Sequence, residues 1–282
     1  MSKLDPEKLI ADIIRFIETE RELYGDFAIQ RSTKTEISEQ DSDQNSDQSV
    51  KPDAVEESSD HTYQSSNSTG DAIDKQEALF DENPNREIHQ KIKECNTLDE
   101  LEQLCRRADV LKTDLEGTNL VFGVGNSNAD LVLIGEAPGA DEDKQGEPFV
   151  GAAGQLLNKI LEAVNFSRDD VYIANILKHR PPDNRNPNPE ERKQSLPFLL
   201  RQIDIIKPKL ILSLGKVSAQ TLLDNDKTLG SMRGKFHSFR GEYQLMATYH
   251  PAALLRHAKW KRSTWEDVKL LRKRYDEIGC KP

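Results

Sequence analysis

The sequence predicts a three-layer α/β fold, in which helices cover both faces of a largely parallel sheet. Apolar runs of strand-forming residues alternate with helical patterns along the second two thirds of the chain. The run at Leu131–Gly135 has no polar interruption, which is typical of a strand buried on both faces. A glycine-punctuated acidic loop follows it, and a helical pattern begins at Ala152. In open α/β sheets, the end of a strand in such a strand–turn–helix unit hosts ligands.

Charge divides the 282 residues into two parts. Residues 1–88 contain 9 Lys or Arg against 22 Asp or Glu, a net charge of −13. Residues 89–282 contain 30 against 27, a net charge of +3. The overall acidity therefore belongs to the first part, and we expect one mildly basic globular domain at 89–282.

The first part has its own organisation. Residues 1–27 have an amphipathic helical pattern, with Asp5-Pro6 as a cap and first turn. Residues 28–88 are rich in Ser, Asp, Gln and Glu and poor in large apolar residues, which predicts a disordered acidic linker. The three cysteines are widely spaced, and there is no signal peptide or apolar run of membrane-spanning length. We therefore expect a reduced, cytoplasmic protein, and we expect it to be a monomer.

The globular part divides into elements by hydrophobic period and by glycine and proline punctuation. The pattern predicts helices at Leu98–Arg107, 152–164, Pro189–Ile206, 217–223 and 260–278. It predicts strands at 120–123, Leu131–Gly135, 171–177, 209–214 and Tyr243–Thr248. A loop rich in proline and asparagine is expected at 181–189.

Polar residues end three of the apolar runs: Glu136, Asn175 and His250. The carboxyl ends of parallel strands meet at one edge of a sheet, so these side chains are expected to share a crevice. The Gly135/Gly139 pair lets the main chain approach a ligand closely. The residues alone predict only a polar pocket, and each of the three side chains by itself is more often structural.

Three blocks resemble the uracil-DNA glycosylases of family four, the thermostable iron–sulfur type. Gly-Glu-Ala-Pro-Gly at 135–139, followed by Pro-Phe-Val-Gly at 148–151, is similar to motif one. Asn-Ile-Leu-Lys at 175–178 is similar to the middle block, and His-Pro-Ala-Ala-Leu-Leu-Arg at 250–256 to motif two. The resemblance spans roughly residues 105–275. It implies a glycosylase that excises uracil from DNA.

The resemblance also implies roles for individual residues. Gly135, Phe149, Asn175 and His250 form the uracil pocket, where Phe149 stacks on the base and Asn175 reads its edge. His250 stabilises negative charge on uracil O2, and Glu136 and Glu142 are candidates for stabilising the sugar or orienting water. The implied DNA contacts are Leu254 and Leu255, as a wedge in the duplex, and Arg180, Arg185 and Arg256.

Two features depart from or add to this pattern. The four cysteines that hold a 4Fe–4S cluster in family four fall here on Ala108, Leu111, His179 and Ser195, so we expect no cluster and no metal. Gln76, Leu79 and Phe80 resemble the Q-x-x-L-F peptides with which bacterial repair proteins dock on the replication sliding clamp; an incidental Leu-Phe pair is the alternative. Two further alternatives are a catalytically weak DNA-damage-binding module and a glycosylase of broader base specificity.

Overall fold

The computed structural model describes residues 84–281, which belong to one compact unit. The predicted N-terminal helix, the linker up to residue 83 and the clamp-like peptide lie outside these residues. The helices are α1 (Pro84–Glu94), α2 (Leu98–Arg107), α3 (Ala140–Gln145), α4 (Ala152–Ala163), α5 (Pro189–Ile206), α6 (Lys216–Leu223), α7 (Leu229–Met232), α8 (Pro251–Arg256) and α9 (Lys261–Glu277). The strands are β1 (Val124–Gly125), β2 (Leu131–Gly135), β3 (Tyr172–Asn175), β4 (Leu210–Leu214), β5 (Phe236–Phe239) and β6 (Tyr243–Thr248).

Within the described range the strands form one six-stranded sheet in the order β1-β3-β2-β4-β6-β5. The four inner strands are parallel, and β1 and β5 pair antiparallel at the two edges. Gly135 pairs with Asn175, and Leu214 pairs with Thr248, so the inner strands end level with one another. The predicted α/β class is confirmed, and the polar residues that follow these strands meet at one edge.

Successive strand residues alternate between two hydrophobic cores, one on each face of the sheet. Leu131, Leu133 and Ile173 face one side, where α4 and α9 cover the sheet. Val132 and Ile134 face the other side, where Leu199 and Ile203 of α5 pack. Burial on both faces explains why β2 reads as a continuous apolar run rather than an alternating one.

A third hydrophobic cluster joins the amino-terminal helices to α5. Ile92 of α1 and Leu101 of α2 pack with Phe122 and Phe198. Thr97 caps α2 by accepting from the Glu100 amide, while the Glu100 side chain bonds back to the cap. The predicted domain start at residue 89 falls inside α1, which begins at Pro84.

The structure corrects several predicted elements. Residues 120–123 form no strand; the edge strand is Val124–Gly125, because Gly123 has φ +152° and packs against the Tyr172 ring, where a Cβ would lie 2.5 Å from the hydroxyl. The acidic loop contains helix α3, and the edge strand β5 and helix α8 were not predicted. These elements are short, so they carry too few periods to leave a sequence signal. Between residues 84 and 281, no helix combines the length and apolarity that crossing a bilayer requires.

Candidate active site

A cavity of about 360 Å³ opens at the carboxyl ends of the parallel strands. It collects residues from five segments of the chain, at 136–142, 149–153, 175, 181–186 and 250–256. Its lining includes Glu136, Pro138, Glu142, Phe149, Asn175, Arg185, His250, Ala252 and Arg256. The expectation that Glu136, Asn175 and His250 share one crevice is therefore confirmed.

Asn175 presents an unsatisfied acceptor to this cavity. Its side chain is buried, and Oδ1 has no hydrogen-bond partner in the described structure. A Cβ at Gly135 would lie 2.3 Å from that oxygen and 2.7 Å from Cζ of Phe149. Any larger residue at 135 would therefore displace both side chains. A buried, unpaired amide oxygen normally costs about 1–3 kcal/mol, which indicates that a ligand completes it.

Phe149 adopts a left-handed backbone conformation, with φ +55°. Such a conformation is uncommon for a bulky residue and costs on the order of 1–3 kcal/mol. It turns the ring towards His250, with ring centroids 5.4 Å apart and planes tilted by 32°. The same loop requires glycine at position 154, because a Cβ on that residue would lie 1.9 Å from the Phe149 carbonyl oxygen.

Arg168 holds this strained loop from outside the cavity. Its Nη1 donates to the carbonyl oxygen of Phe149 at 3.0 Å and to Oδ1 of Asn158 at 3.1 Å. Its Nη2 donates to the carbonyl oxygen of Pro148 at 2.8 Å. Arg168 was not predicted to support the site, because an arginine in a polar turn has no distinguishing pattern in the sequence.

Glu142 organises the loop that surrounds the cavity. Its Oε1 accepts from the amides of Val150 and Gly151 at 3.0 and 3.1 Å. Its Oε2 accepts from the amide of Gly139 at 3.1 Å. Both carboxylate oxygens are thus engaged by main-chain donors, which ties the turn after β2 to the turn before α4.

Glu136 is half-buried on the cavity wall. Burial raises the pKa of its carboxyl group, and the nearby positive charge of Arg192 opposes that effect. Arg192 lies on α5, and its Nε is buried without a partner in the described structure. Glu136 therefore lines the cavity within the electrostatic influence of the Arg192 cation.

His250 ends the segment after β6 and caps helix α8. Its Nδ1 accepts the amide hydrogen of Ala252 at 3.2 Å. Burial lowers the pKa of His250 to about 4, and Arg256 adds to that effect. The imidazole is therefore neutral at pH 7, with its proton on Nε2 as a donor.

The predicted DNA contacts divide into engaged and exposed side chains. Arg185 forms a two-point ion pair with Glu191, at 2.7 and 2.8 Å, and Arg180 donates to Asn184. Arg256 is exposed at the rim of the cavity. Leu255 is 45% exposed, whereas Leu254 is 2% exposed and lies in the interior. Of the two leucines that were expected to form a wedge, only Leu255 presents its side chain to solvent.

The four positions where the resemblance places cluster cysteines do not fit an iron–sulfur cluster. Ala108 and Leu111 pack in the third hydrophobic cluster. Ser195 is buried, and Nδ1 of His179 bonds to the hydroxyl of Thr118 at 3.0 Å. The whole chain has three cysteines, fewer than the four thiolates that a 4Fe–4S cluster takes. Over residues 84–281, no three His, Cys, Asp or Glu side chains are grouped to hold a metal ion.

The region that contains this cavity is similar in sequence to known proteins. Residues 122–269 match the family described as the uracil DNA glycosylase superfamily. The Type-4 uracil-DNA glycosylase of Archaeoglobus fulgidus is 44% identical over 172 residues, which cover 58% of this chain and 85% of that protein. The protein of that name from Thermotoga maritima is 42% identical over 157 residues, covering 55% of this chain and 82% of that protein. The matched family region contains all the residues that line the cavity.

Proposed function

The chain belongs to the uracil DNA glycosylase superfamily, and we propose from this membership that it hydrolyses the bond between uracil and deoxyribose in DNA. The products are free uracil and an abasic site, as in base excision repair. Within the site, the observation that carries the proposal is the buried, unpaired Oδ1 of Asn175, in a side chain that lines the cavity together with Phe149 and His250.

The cavity receives a nucleotide flipped out of the DNA stack, which costs a few kcal/mol to extrude. Phe149 stacks on the flipped base. The side-chain amide of Asn175 accepts from uracil N3–H and donates to uracil O4. Cytosine has an acceptor at N3 and a donor at C4, so the same amide orientation rejects it.

His250 stabilises the leaving group. As the bond between C1′ and N1 breaks, the bonding electrons leave with uracil and negative charge develops on O2. The neutral imidazole donates its Nε2–H to that oxygen, since Nδ1 is already occupied by the Ala252 amide. A donor placed in this way contributes about 10²–10³ in rate.

The sugar becomes positively charged while the base leaves. Of the two acidic candidates, we assign Glu136 to stabilise this charge and orient the attacking water. The support is that Glu136 faces the cavity, whereas both oxygens of Glu142 accept main-chain N–H groups. Glu142 then acts by positioning the loop. Leu255 fills the space that the flipped base vacates, and Arg256 contacts a phosphate.

We further propose that the enzyme works without an iron–sulfur cluster. The support is the apolar packing of Ala108 and Leu111 and the chain's three cysteines. Purified protein is expected to contain no stoichiometric iron and to lack the visible absorbance of an iron–sulfur centre. A brown protein with about four irons per chain would overturn this proposal.

A cytoplasmic, monomeric enzyme that docks on the sliding clamp through Gln76, Leu79 and Phe80 is also a proposal. The unpaired cysteines of the described domain support the reducing, cytoplasmic compartment, and the peptide's resemblance to clamp-binding sequences supports the docking. Size-exclusion chromatography with purified clamp tests it. A Leu79→Ala, Phe80→Ala variant is expected to lose co-elution; co-elution that persists in this variant would assign docking to another surface.

The activity itself is tested on an oligonucleotide with a single uracil, treated with alkali after incubation. Wild-type protein is expected to yield the cleaved strand, and Asn175→Ala to yield far less. The same oligonucleotide with thymine or hypoxanthine in place of uracil measures base specificity. Tight binding to uracil DNA without turnover would replace the enzyme with a damage-binding module.

A further inference from the structure

Lys178 is fully buried three residues after Asn175. Its Nζ donates to the main-chain oxygens of Asn175 and Phe122, both at 3.1 Å, and to Oε1 of Gln202 at 2.5 Å. These acceptors need three N–H groups, which the ammonium form has and the neutral amine lacks. The geometry therefore requires a protonated lysine.

All three acceptors are uncharged, so the buried ammonium has no carboxylate partner among the contacts of the described residues. Gln202 is held in this orientation because its Nε2 donates to the Phe122 oxygen and to the Tyr172 hydroxyl. The thiol of Cys105, on α2, is neutral because burial raises its pKa to about 12. Burial lowers the pKa of Lys178 to about 8, which still leaves the amine mostly protonated at pH 7.

An isolated buried charge is expensive, and a methionine of similar length would fill the same space. The charge is therefore an unusual feature to find hydrogen-bonded to the main chain of the residue that we propose reads the uracil edge. One ammonium hydrogen bonds to the main chain of Asn175, whose side-chain oxygen is the unsatisfied acceptor of the cavity. The lysine thus connects the protein interior with the pocket wall.

Resting on the function proposed above, we propose that the Lys178 ammonium is a positioning residue for uracil excision. It fixes the main chain of Asn175, and its positive charge stabilises the uracil anion from behind the pocket wall. Hydrolysis breaks the bond between C1′ and N1, and the bonding pair leaves with uracil. Water adds to C1′ and loses a proton to solvent, while the uracil anion takes up a proton after release. A cation near the pocket lowers the energy of the charged base before that protonation.

A comparison of two leaving groups tests this proposal. 5-Fluorouracil differs from uracil by one small atom but leaves more readily as an anion, so its excision depends less on stabilisation by the protein. Single-turnover rates on both substrates at pH 7 give a ratio for each variant. Lys178→Met is expected to slow uracil excision by about 10- to 100-fold and to slow 5-fluorouracil excision much less.

Gln202→Glu provides a second variant that keeps the lysine. It places a carboxylate 2.5 Å from Nζ, which compensates the charge without opening a cavity, and it removes the donor that Nε2 supplies to the Phe122 oxygen, which Lys178 still contacts. The same selective loss of uracil excision is expected. Gln202→Glu also tests the proposal if Lys178→Met does not fold. Thermal melting shows whether each variant is folded.

Ser218→Ala is the matched control for a merely structural effect. The Ser218 hydroxyl is buried, uncharged, and donates to the Ile134 oxygen at 2.8 Å, next to Gly135. Its loss is expected to slow excision of both bases by the same factor.

Unchanged substrate ratios in the folded Lys178 and Gln202 variants would overturn the proposal. A wild-type enzyme that already excises 5-fluorouracil about 100-fold faster than uracil would overturn it without any variant, because its leaving-group stabilisation would be weak. No uracil excision by wild-type protein would instead overturn the proposed function.

Discussion

The amide of Ala252 donates to Nδ1 of His250 at 3.2 Å, which fixes the proton of the neutral ring on Nε2. A main-chain N–H has no acceptor capacity, so a doubly protonated imidazolium would lose this bond. Burial and the positive charge of Arg256 disfavour the imidazolium as well. The side chain is thus held as a neutral donor before any DNA binds.

His250 is therefore expected to give no acid limb near its ordinary pKa of about 6.5. Its folded-state pKa lies at about 4, so its contribution to stability is present above pH 6.5 and is lost as the pH falls towards 4. His250→Ala should lower the single-turnover rate by about 10²–10³ and flatten the stability profile in that window. Single-turnover rates and urea denaturation from pH 4 to 8 measure the activity and the stability of the two proteins. A wild-type activity limb near pH 6.5 that is absent from the variant would contradict the neutral-donor role.

Asn175→Ala separates function from stability. The variant removes an acceptor that has no partner in the described structure, so the unfolding free energy should change by less than about 1 kcal/mol. Excision should nevertheless fall strongly, because the uracil edge loses its donor and acceptor. Thermal melting and single-turnover kinetics on the same preparation measure the two effects. A large drop in melting temperature would show that the amide supports the fold rather than the ligand.

Arg168→Met should loosen the Phe149 loop. The change removes three hydrogen bonds that hold Pro148, Phe149 and Asn158 together. We expect kcat/KM to fall by about tenfold and the melting temperature by a few degrees, which corresponds to about 1 kcal/mol. Arg107→Met, at an exposed position of α2, is the matched control. Equal kinetics for the two variants would remove Arg168 from the positioning of Phe149.

Glu142→Gln and Glu136→Gln should behave differently. A glutamine at 142 has one oxygen and one NH₂ group, so at least one main-chain N–H faces another donor. This should lower the free energy of unfolding by about 1–3 kcal/mol. A glutamine at 136 should leave stability nearly unchanged and slow the chemical step. Chemical denaturation and single-turnover rates compare them. The reverse pattern would exchange the roles assigned to the two acids.

Leu254→Ala and Leu255→Ala form a matched pair of adjacent leucines. The buried Leu254 should lose about 2–5 kcal/mol of stability, whereas the exposed Leu255 should lose less than about 0.5 kcal/mol. Leu255→Ala should slow excision from duplex DNA more than from single-stranded DNA, because only the duplex leaves a gap in a base stack. Equal slowing on both substrates would exclude a wedge.

The sequence was sufficient for the fold class and for the convergence of Glu136, Asn175 and His250. Parallel strands align their carboxyl ends, so the residue that follows each apolar run is placed by topology alone. Helices α2 and α5 have the predicted bounds, because long periodic patterns with caps leave little freedom, whereas the 11-residue helix α1 was not predicted. The proposal that this cavity binds uracil rests on the resemblance to family four.

Contacts between distant segments decided what the sequence could not. Glu142 is a loop organiser, because three amides from two separate turns converge on it. Leu254 and Leu255 are neighbours of the same residue type, yet a helix places successive side chains about 100° apart, so one is buried and the other exposed. The charge of Lys178 is unremarkable in a sequence and becomes informative only when its three acceptors are known. The physical reason is the same in each case: local pattern specifies backbone and face, whereas hydrogen-bond partners and burial depend on chain segments that meet only in the folded state.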